Sequence, residues 1–317
     1  MKNSILVVDA LNFFMRHFSV NPSVNDNGDH IGGVVGFLKG LQLLVDRLRP
    51  KDIIVVWEGG GSLRRRKIYP DYKNKKRPIK LNRFYSGDIP DTIQNRNYQI
   101  NLIVSLLKFC NLKQVYVSDC EADDVIAYIA KYTHPEENLT IVSSDKDYYQ
   151  LIDPPRISQW SPGQKDFVTP EKILKKFFIP VHNFCVVRCF CGDSSDGLPG
   201  IKGAGFRTLA KRFPELVDEN FVSVEEIINL SSVRSQESKV KVFQNILEDA
   251  EIARRNWKLM YLDTANLSGN QIQKISNQVD TSKALPNKIK FMKLLIREGV
   301  RSFDADTFYM TISSLQK

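Results

Sequence analysis

Ile5-Leu6-Val7-Val8-Asp9 is a short apolar run that stops at an acid. The pattern recurs along the first half of the chain. Ile53-Ile54-Val55-Val56-Trp57 leads into Glu58, the run at 114–117 leads into Glu121, Asp123 and Asp124, and the run at 139–143 leads into Asp145 and Asp147. Runs so uniformly apolar read as strands buried on both faces. Between them, apolar residues at helical spacing mark helices over 34–48, 100–109 and 122–132. Buried strands alternating with helices predict an α/β fold with a mostly parallel central sheet flanked by helices.

In such sheets ligands bind in the crevice beyond the carboxyl ends of the strands. Four predicted strands each bring acid to that edge, and Asp193 and Asp196 add a further pair three residues apart, on one face of a turn. The candidate metal ligands are therefore Asp9, Glu58, Glu121, Asp123, Asp124, Asp145, Asp147, Asp193 and Asp196. Carboxylates gathered in one crevice repel each other, and divalent cations relieve the repulsion. Ligation by oxygen alone suits Mg²⁺, with Mn²⁺ as a substitute. The set exceeds what one ion needs, so two ions are expected, the arrangement that clamps the attacking and leaving oxygens of a phosphoryl displacement. One acid at a strand end is more simply a helix cap, and Asp123 and Asp124 suit that role. Capping does not account for the whole set. The four histidines (His17, His30, His134, His182) stand away from the acid clusters and offer no rival catalyst.

Opposite charge follows directly after Glu58. Arg64, Arg65, Arg66, Lys67, Lys73, Lys75, Lys76, Arg77 and Lys80 are interleaved with Tyr69 and Tyr72, and Arg83, Phe84 and Tyr85 lie just beyond. Cations neutralise phosphates and aromatic rings stack on bases, a composition suited to single-stranded nucleic acid. A solvated loop is the plainer alternative, but this segment should overhang the acidic crevice. A glycine-rich stretch, Gly192-Asp193-Ser194-Ser195-Asp196-Gly197-Leu198-Pro199-Gly200-Ile201-Lys202-Gly203-Ala204-Gly205, separates two predicted helices. Glycines let backbone N–H groups approach phosphate, and a helix N-terminus adds its dipole. Such a loop grips duplex backbone without reading sequence.

After about residue 165 helical segments dominate, at 170–178, 181–190, 205–213, 224–230, 240–262 and 288–298. Two parts are expected: 1–165, an α/β part with a basic arch at about 60–90, and 166–317, a helical part that binds duplex through a hairpin at 192–213. Trp57, Trp160 and the Phe177-Phe178 pair read as core. Cys185, Cys189 and Cys191 read as a buried helix face, their spacing from His182 fitting no common zinc pattern. The chain has 317 residues, a net charge of +9 and five cysteines. An odd cysteine count in a long chain suggests a reducing cytoplasm. No apolar run reaches the roughly 18 residues of a membrane span, and the N-terminus is too soon acidic for a signal peptide.

The runs Val8-Asp9-Ala10, Glu121-Ala122-Asp123-Asp124, Ser143-Ser144-Asp145-Lys146-Asp147 and Gly192 to Ile201 resemble, in order, the flap endonuclease/5′–3′ exonuclease family. Gln159-Trp160-Ser161-Pro162 and the length are most similar to its T-even phage ribonuclease H branch. The resemblance implies a helical arch over the site and a helix–three-turn–helix element for duplex. It implies Mg²⁺-dependent hydrolysis of RNA primers and 5′ DNA flaps, with ribonuclease H activity. Asp9, Glu58, Glu121, Asp123 and Asp124 would serve one ion, and Asp145, Asp147, Asp193 and Asp196 the other. Lys73 would meet the scissile region, with Tyr72 stacking beside it and Arg65 nearby. Arg64, Arg66, Lys67, Lys75, Lys76 and Arg77 would hold the strand. Gly200, Ile201, Lys202, Gly203 and Gly205 would hold duplex, with K⁺ at the hairpin.

The implied partners are DNA and RNA/DNA with 5′ flaps, nicks or forks, a single-strand-binding protein and a sliding clamp. The resemblance further implies a monomer in the cytoplasm, the host's if phage-encoded. One position departs from the pattern: most relatives carry Asp where this chain has Glu58, which puts the geometry of the first ion in doubt. Two rival readings stay open, a branched-DNA-binding protein without catalysis and a nuclease of single-stranded RNA.

Overall fold

The computed structural model describes residues 4–74, 92–280 and 286–316. The first run forms β1 (Ile5–Asp9), and Asp9 at once caps α1 (Ala10–Phe18) by accepting from the Asn12 N–H at 3.1 Å. There follow α2 (Gly32–Leu48), β2 (Asp52–Trp57), α3 (Leu63–Ile68) and α4 (Thr92–Leu107). Then come β3 (Lys113–Tyr116), α5 (Ala122–Tyr128), β4 (Leu139–Val142), a 3₁₀ turn at Asp147–Leu151, β5 (Ile157–Ser161) and β6 (Asp166–Val168). Among the described residues the strands make one sheet in the order β3-β2-β1-β4-β5-β6. Every pairing is parallel except that of β5 with β6. The chain builds outward from β1 to β3 and then crosses to β4 on the other side. The order therefore reverses between β1 and β4, where open α/β sheets form their crevice.

The helical part comprises α6 (Pro170–Phe177), α7 (Val181–Cys191), α8 (Phe206–Arg212), α9 (Val224–Glu237), α10 (Lys241–Glu248) and α11 (Ala250–Met260), then α12 (Gly269–Asp280), α13 (Lys288–Arg297) and α14 (Ala305–Ser313). Local chemistry sets several starts. Thr169 caps α6 with Pro170 in its first turn, and Ser223 and Glu226 form a reciprocal capping box on α9. The single helix expected over 240–262 is two, because the chain breaks at Asp249, outside helical geometry at φ −108°, ψ 20°. Phe178 was expected in the core. It ends α6 in the left-handed region at φ 65° and is 41% exposed.

Two cores lie on the two faces of the sheet. One packs α1, α2 and α4 on Leu6, Val8, Ile53 and Val55, and takes Phe291, Phe303, Phe308 and Ile312 from the end of the chain. The other packs α5 on Val7, Ile54, Val56 and Ile141, and takes Leu262, Leu267, Ile275 and Val279. A third core lies among α7 to α11. The chain beyond 165 thus contributes to the core on either side of the sheet. Trp57 and Trp160 are buried, as are Cys185 and Cys189 on α7. Of the basic segment, Lys75, Lys76, Arg77, Lys80, Arg83, Phe84 and Tyr85 lie outside the described residues.

Candidate active site

Each expected acid sits at the carboxyl edge of the sheet or on the glycine hairpin facing it. Asp9 ends β1, and its second oxygen accepts from the hydroxyls of Ser143 and Tyr148, both at 3.1 Å. Burial, with Asp145 nearby, pushes its carboxyl up to about 6. Glu58 follows β2. Its oxygens accept from the Gly61 N–H at 3.2 Å and, at a long 3.4 Å, from the Ala122 N–H. Burial first, then Glu121 and Asp123, push it up to about 7. Gly59 lets this loop pass against the one before α5: a Cβ there would lie 1.7 Å from the Val117 carbonyl oxygen.

Glu121 and Asp124 are buried at the start of α5. Asp145 is exposed after β4, held by a backbone N–H bond to the Ser143 hydroxyl at 3.1 Å. Gln159 on β5 braces the same loop, donating to the carbonyls of Ser143 and Asp145 at 2.9 and 2.8 Å. Asp193 and Asp196 open the turn after α7, where Gly192 takes φ +73° and Gly197 φ +75°. Burial raises Asp196 to about 6 against the pull of Lys73.

Among the described residues, no three or more acids, histidines or cysteines are gathered tightly enough to hold a metal ion as they stand. Built-in cations divide the acids instead. Arg65, fully buried, reaches Asp124 with both terminal nitrogens at 2.8 and 2.9 Å, and also lies 3.2 Å from Glu121 and 3.3 Å from Asp123. Lys73 reaches Glu121 at 2.6 Å and Asp196 at 4.0 Å. Arg188 joins Asp147, at 3.0 Å, to Asp193. No Lys or Arg among the described residues pairs with Asp9, Glu58 or Asp145. The donor set is hard oxygen throughout, several of its carboxyls are pushed above their ordinary range, and Asp145 is open to solvent. Those features fit a divalent ion.

The basic and glycine segments meet here. The Lys73 N–H donates to the Asp196 carbonyl at 2.9 Å, and Lys73 itself lies in the left-handed region at φ 53°. Two expectations change at this point. Tyr72 is buried in the hairpin core, its hydroxyl donating to Glu121 at 3.1 Å, so its ring is not presented for stacking. Arg65 lies beneath the acids, its Nε donating to the Leu259 carbonyl at 2.9 Å, and does not face the crevice mouth as a phosphate contact would. Arg66 and Lys67 are exposed, and Arg64 donates to the Lys258 carbonyl at 3.2 Å. On the hairpin Gly200, Lys202, Gly203 and Gly205 are exposed, whereas Ile201 is buried.

Sequence reasoning missed Arg188, Ser143, Tyr148, Asn12 and Gln159. Tyr148 directly follows Asp147, and Arg188 lies about one helical turn before Asp193. Those spacings were the available signals. A cleft of about 420 Å³ opens between Asn12, Asp145, Lys146, Phe184, Arg188 and Asp193. A larger one, about 980 Å³, lies at the opposite end of the strands, among Asp46, Arg49, Lys51 and Glu137, away from the acid set.

Residues 4–178, more than half the chain, match the family described as "5′-3′ exonuclease, N-terminal resolvase-like domain". The chain belongs to the 5′–3′ exonuclease family. Among curated relatives of this exonuclease, a 5′-3′ exonuclease of Aquifex aeolicus (strain VF5) is 30% identical over 227 residues, 71% of this chain and 72% of that one. Flap endonuclease Xni of Shewanella sp. (strain MR-4) is 28% identical over 274 residues, 83% of this chain and 91% of that one. The bacteriophage T5 flap endonuclease, solved with DNA and metal ions, superposes with a TM-score of 0.65 at 20% identity, over 94% of this chain and 99% of that one. Human GEN1, solved with Holliday junction DNA, gives 0.58 at 12% identity, over 99% of this chain and 72% of that one. At these identities the two structures share the exonuclease's fold. Among the described residues, no helix is long and apolar enough to cross a membrane.

Proposed function

We propose that this exonuclease is a structure-specific 5′-nuclease that hydrolyses phosphodiesters with two divalent ions, Mg²⁺ by preference, and removes 5′ DNA flaps and RNA primers, the latter by ribonuclease H activity. The observation that carries the reading is one acid after another along the carboxyl edge of the sheet: Asp9 after β1, Glu58 after β2, Glu121 and Asp123 after β3 and Asp145 after β4, with Asp147, Asp193 and Asp196 on the segments beside them. Asp9, Glu58, Glu121 and Asp123 would hold one ion, with Asp124 behind them on Arg65, and Asp145, Asp147, Asp193 and Asp196 the other. Bound there, such ions stabilise charge on the reacting phosphate and acidify water.

The chain's own groups do the rest. Ser143, Tyr148 and the Asn12 N–H fix the Asp9 carboxyl in one orientation. Lys73, its side chain 44% exposed, offers an ammonium beside Glu121 that can meet developing negative charge. Arg66 and Lys67 steer the strand, with Lys75, Lys76 and Arg77 continuing the same run. The exposed glycines and Lys202 on the hairpin grip duplex backbone, and the same turn would hold K⁺. In this reading 1–165 carries the chemistry and 166–317 the duplex grip. The protein works as a monomer in the cytoplasm, the host's if phage-encoded, recruited by a single-strand-binding protein and a sliding clamp.

Cleavage of a 5′-labelled flap, with Mg²⁺ or with EDTA, beside Asp145→Ala, tests the proposal. Short 5′ products that need metal and vanish in the variant are expected. Binding of the flap without cleavage in either Mg²⁺ or Mn²⁺ would overturn catalysis.

A further inference from the structure

Arg188 has no part in the chemistry above, yet it sits in the acidic crevice with its side chain 9% exposed. It projects from α7 toward two acids from distant parts of the chain. Its Nη2 lies 3.0 Å from Asp147, which follows β4, and in tight contact with Asp193, which opens the glycine hairpin. The rest of the guanidinium is poorly met, because its Nε is buried with no hydrogen-bond partner. Arg65 differs: its Nε donates to the Leu259 carbonyl and both terminal nitrogens to Asp124. Arg65 is thus held by hydrogen bonds from its Nε and both terminal nitrogens, whereas Arg188 holds its two acids through Nη2, by a hydrogen bond to Asp193 and by charge to Asp147. Asp193 is engaged twice, one oxygen by Arg188 and the other by the Ser195 N–H at 2.7 Å. The guanidinium charge on these carboxylates opposes an incoming cation at the same oxygens.

We propose that Arg188 is the resident cation of the second acidic group, so that a second divalent ion binds between Asp147 and Asp193 only by displacing it. Arg188 is then a positioning residue that sets the affinity of the second ion. The first group has cations of its own, Lys73 at Glu121 and Arg65 at Glu121 and Asp123, but its Asp9 and Glu58 pair with no described Lys or Arg, which leaves the first ion two ligands that no cation holds. This inference rests on the two-ion reading above.

The test is a calorimetric titration of the metal-free full chain with Mn²⁺, with unbound Mn²⁺ counted by electron paramagnetic resonance. The wild-type protein should take one ion tightly and a second at least about tenfold more weakly. Arg188→Gln, which removes the charge, should tighten the second ion by about tenfold or more and leave the first unchanged. Arg188→Lys, which restores the charge, should keep the second ion weak. Two ions of equal affinity in the wild-type protein would overturn this proposal alone and leave the two-ion reading standing. A second ion unmoved in Arg188→Gln, its fold checked by the unchanged first site, would do the same. Failure of all three proteins to bind Mn²⁺ would overturn both. The wild-type and Arg188→Lys arms decide the matter even if Arg188→Gln does not fold.

Discussion

Arg65 and Asp124 form a two-point pair, Nη1 to Oδ2 at 2.8 Å and Nη2 to Oδ1 at 2.9 Å, with the arginine fully buried. Its removal leaves Asp124, Glu121 and Asp123 without their shared counter-charge. Breaking a buried pair from one side costs about 3–5 kcal/mol. Arg65→Met is expected to lower the unfolding free energy by about that amount in a urea titration. A loss below about 1 kcal/mol would mean that the acids do not depend on it.

Lys73 reaches one of these acids, Glu121, from the solvent side, its side chain 44% exposed. Glu121 is buried but keeps Arg65 at 3.2 Å when Lys73 is lost, so Lys73→Ala should cost about 1 kcal/mol and unfold near the wild-type urea concentration. If its ammonium meets charge on the reacting phosphate, flap cleavage should fall by about 10²–10³ in kcat. Unchanged kcat would remove Lys73 from the reaction.

The raised carboxyls make the metal-free protein less stable as pH rises toward neutral. Burial lifts Asp9 from 3.8 to about 6, and burial with Glu121 and Asp123 lifts Glu58 from 4.5 to about 7. Between the ordinary and raised values the folded chain holds protons that the unfolded chain has released. Stability from these two groups is therefore lost as pH rises from about 4 to about 7. In EDTA the thermal midpoint should fall across that range, and less so in Glu58→Gln. Mg²⁺, which binds the ionised carboxylates, should flatten or reverse the trend. An identical slope in Glu58→Gln would show that Glu58 titrates normally.

Gly192 carries φ +73°, and a Cβ there would lie 2.4 Å from the Gly200 nitrogen. Gly192→Ala combines backbone strain with a clash inside the hairpin and should cost about 1–3 kcal/mol. Because the turn it closes also carries Asp193 and Asp196, duplex binding measured by fluorescence anisotropy should weaken as well. Wild-type affinity in this variant would separate the hairpin from the grip.

The strand-end acids were legible because parallel strands put their carboxyl ends on one edge whatever else the chain does. The hairpin was legible because glycine at positive φ leaves a mark in composition. Arg65 was read with the wrong orientation, since nothing local says that it turns inward to partners 58 and 59 positions away. Tyr72 failed in the same way: an aromatic among lysines looks like a stacking ring until the packing around it is known. Arg188 was only half legible: its spacing pointed to Asp193, but its other partner, Asp147, stands on a different element. Neither the break at Asp249 nor the return of α13 and α14 to the sheet carries a local signature. Both are decided by tertiary contacts.

That return has a consequence for how the protein comes to exist. Phe291, Phe303, Phe308 and Ile312 complete one face of the sheet, and Leu262 to Val279 complete the other. Residues 262–279 and 291–312 therefore cover apolar surface laid down by residues made well before them. Until α14 docks, α2 lacks the cover that α14 gives it. The acids at the far edge are assembled on a sheet not yet sealed. A chain cut before α12 would therefore leave both faces of the sheet partly bare.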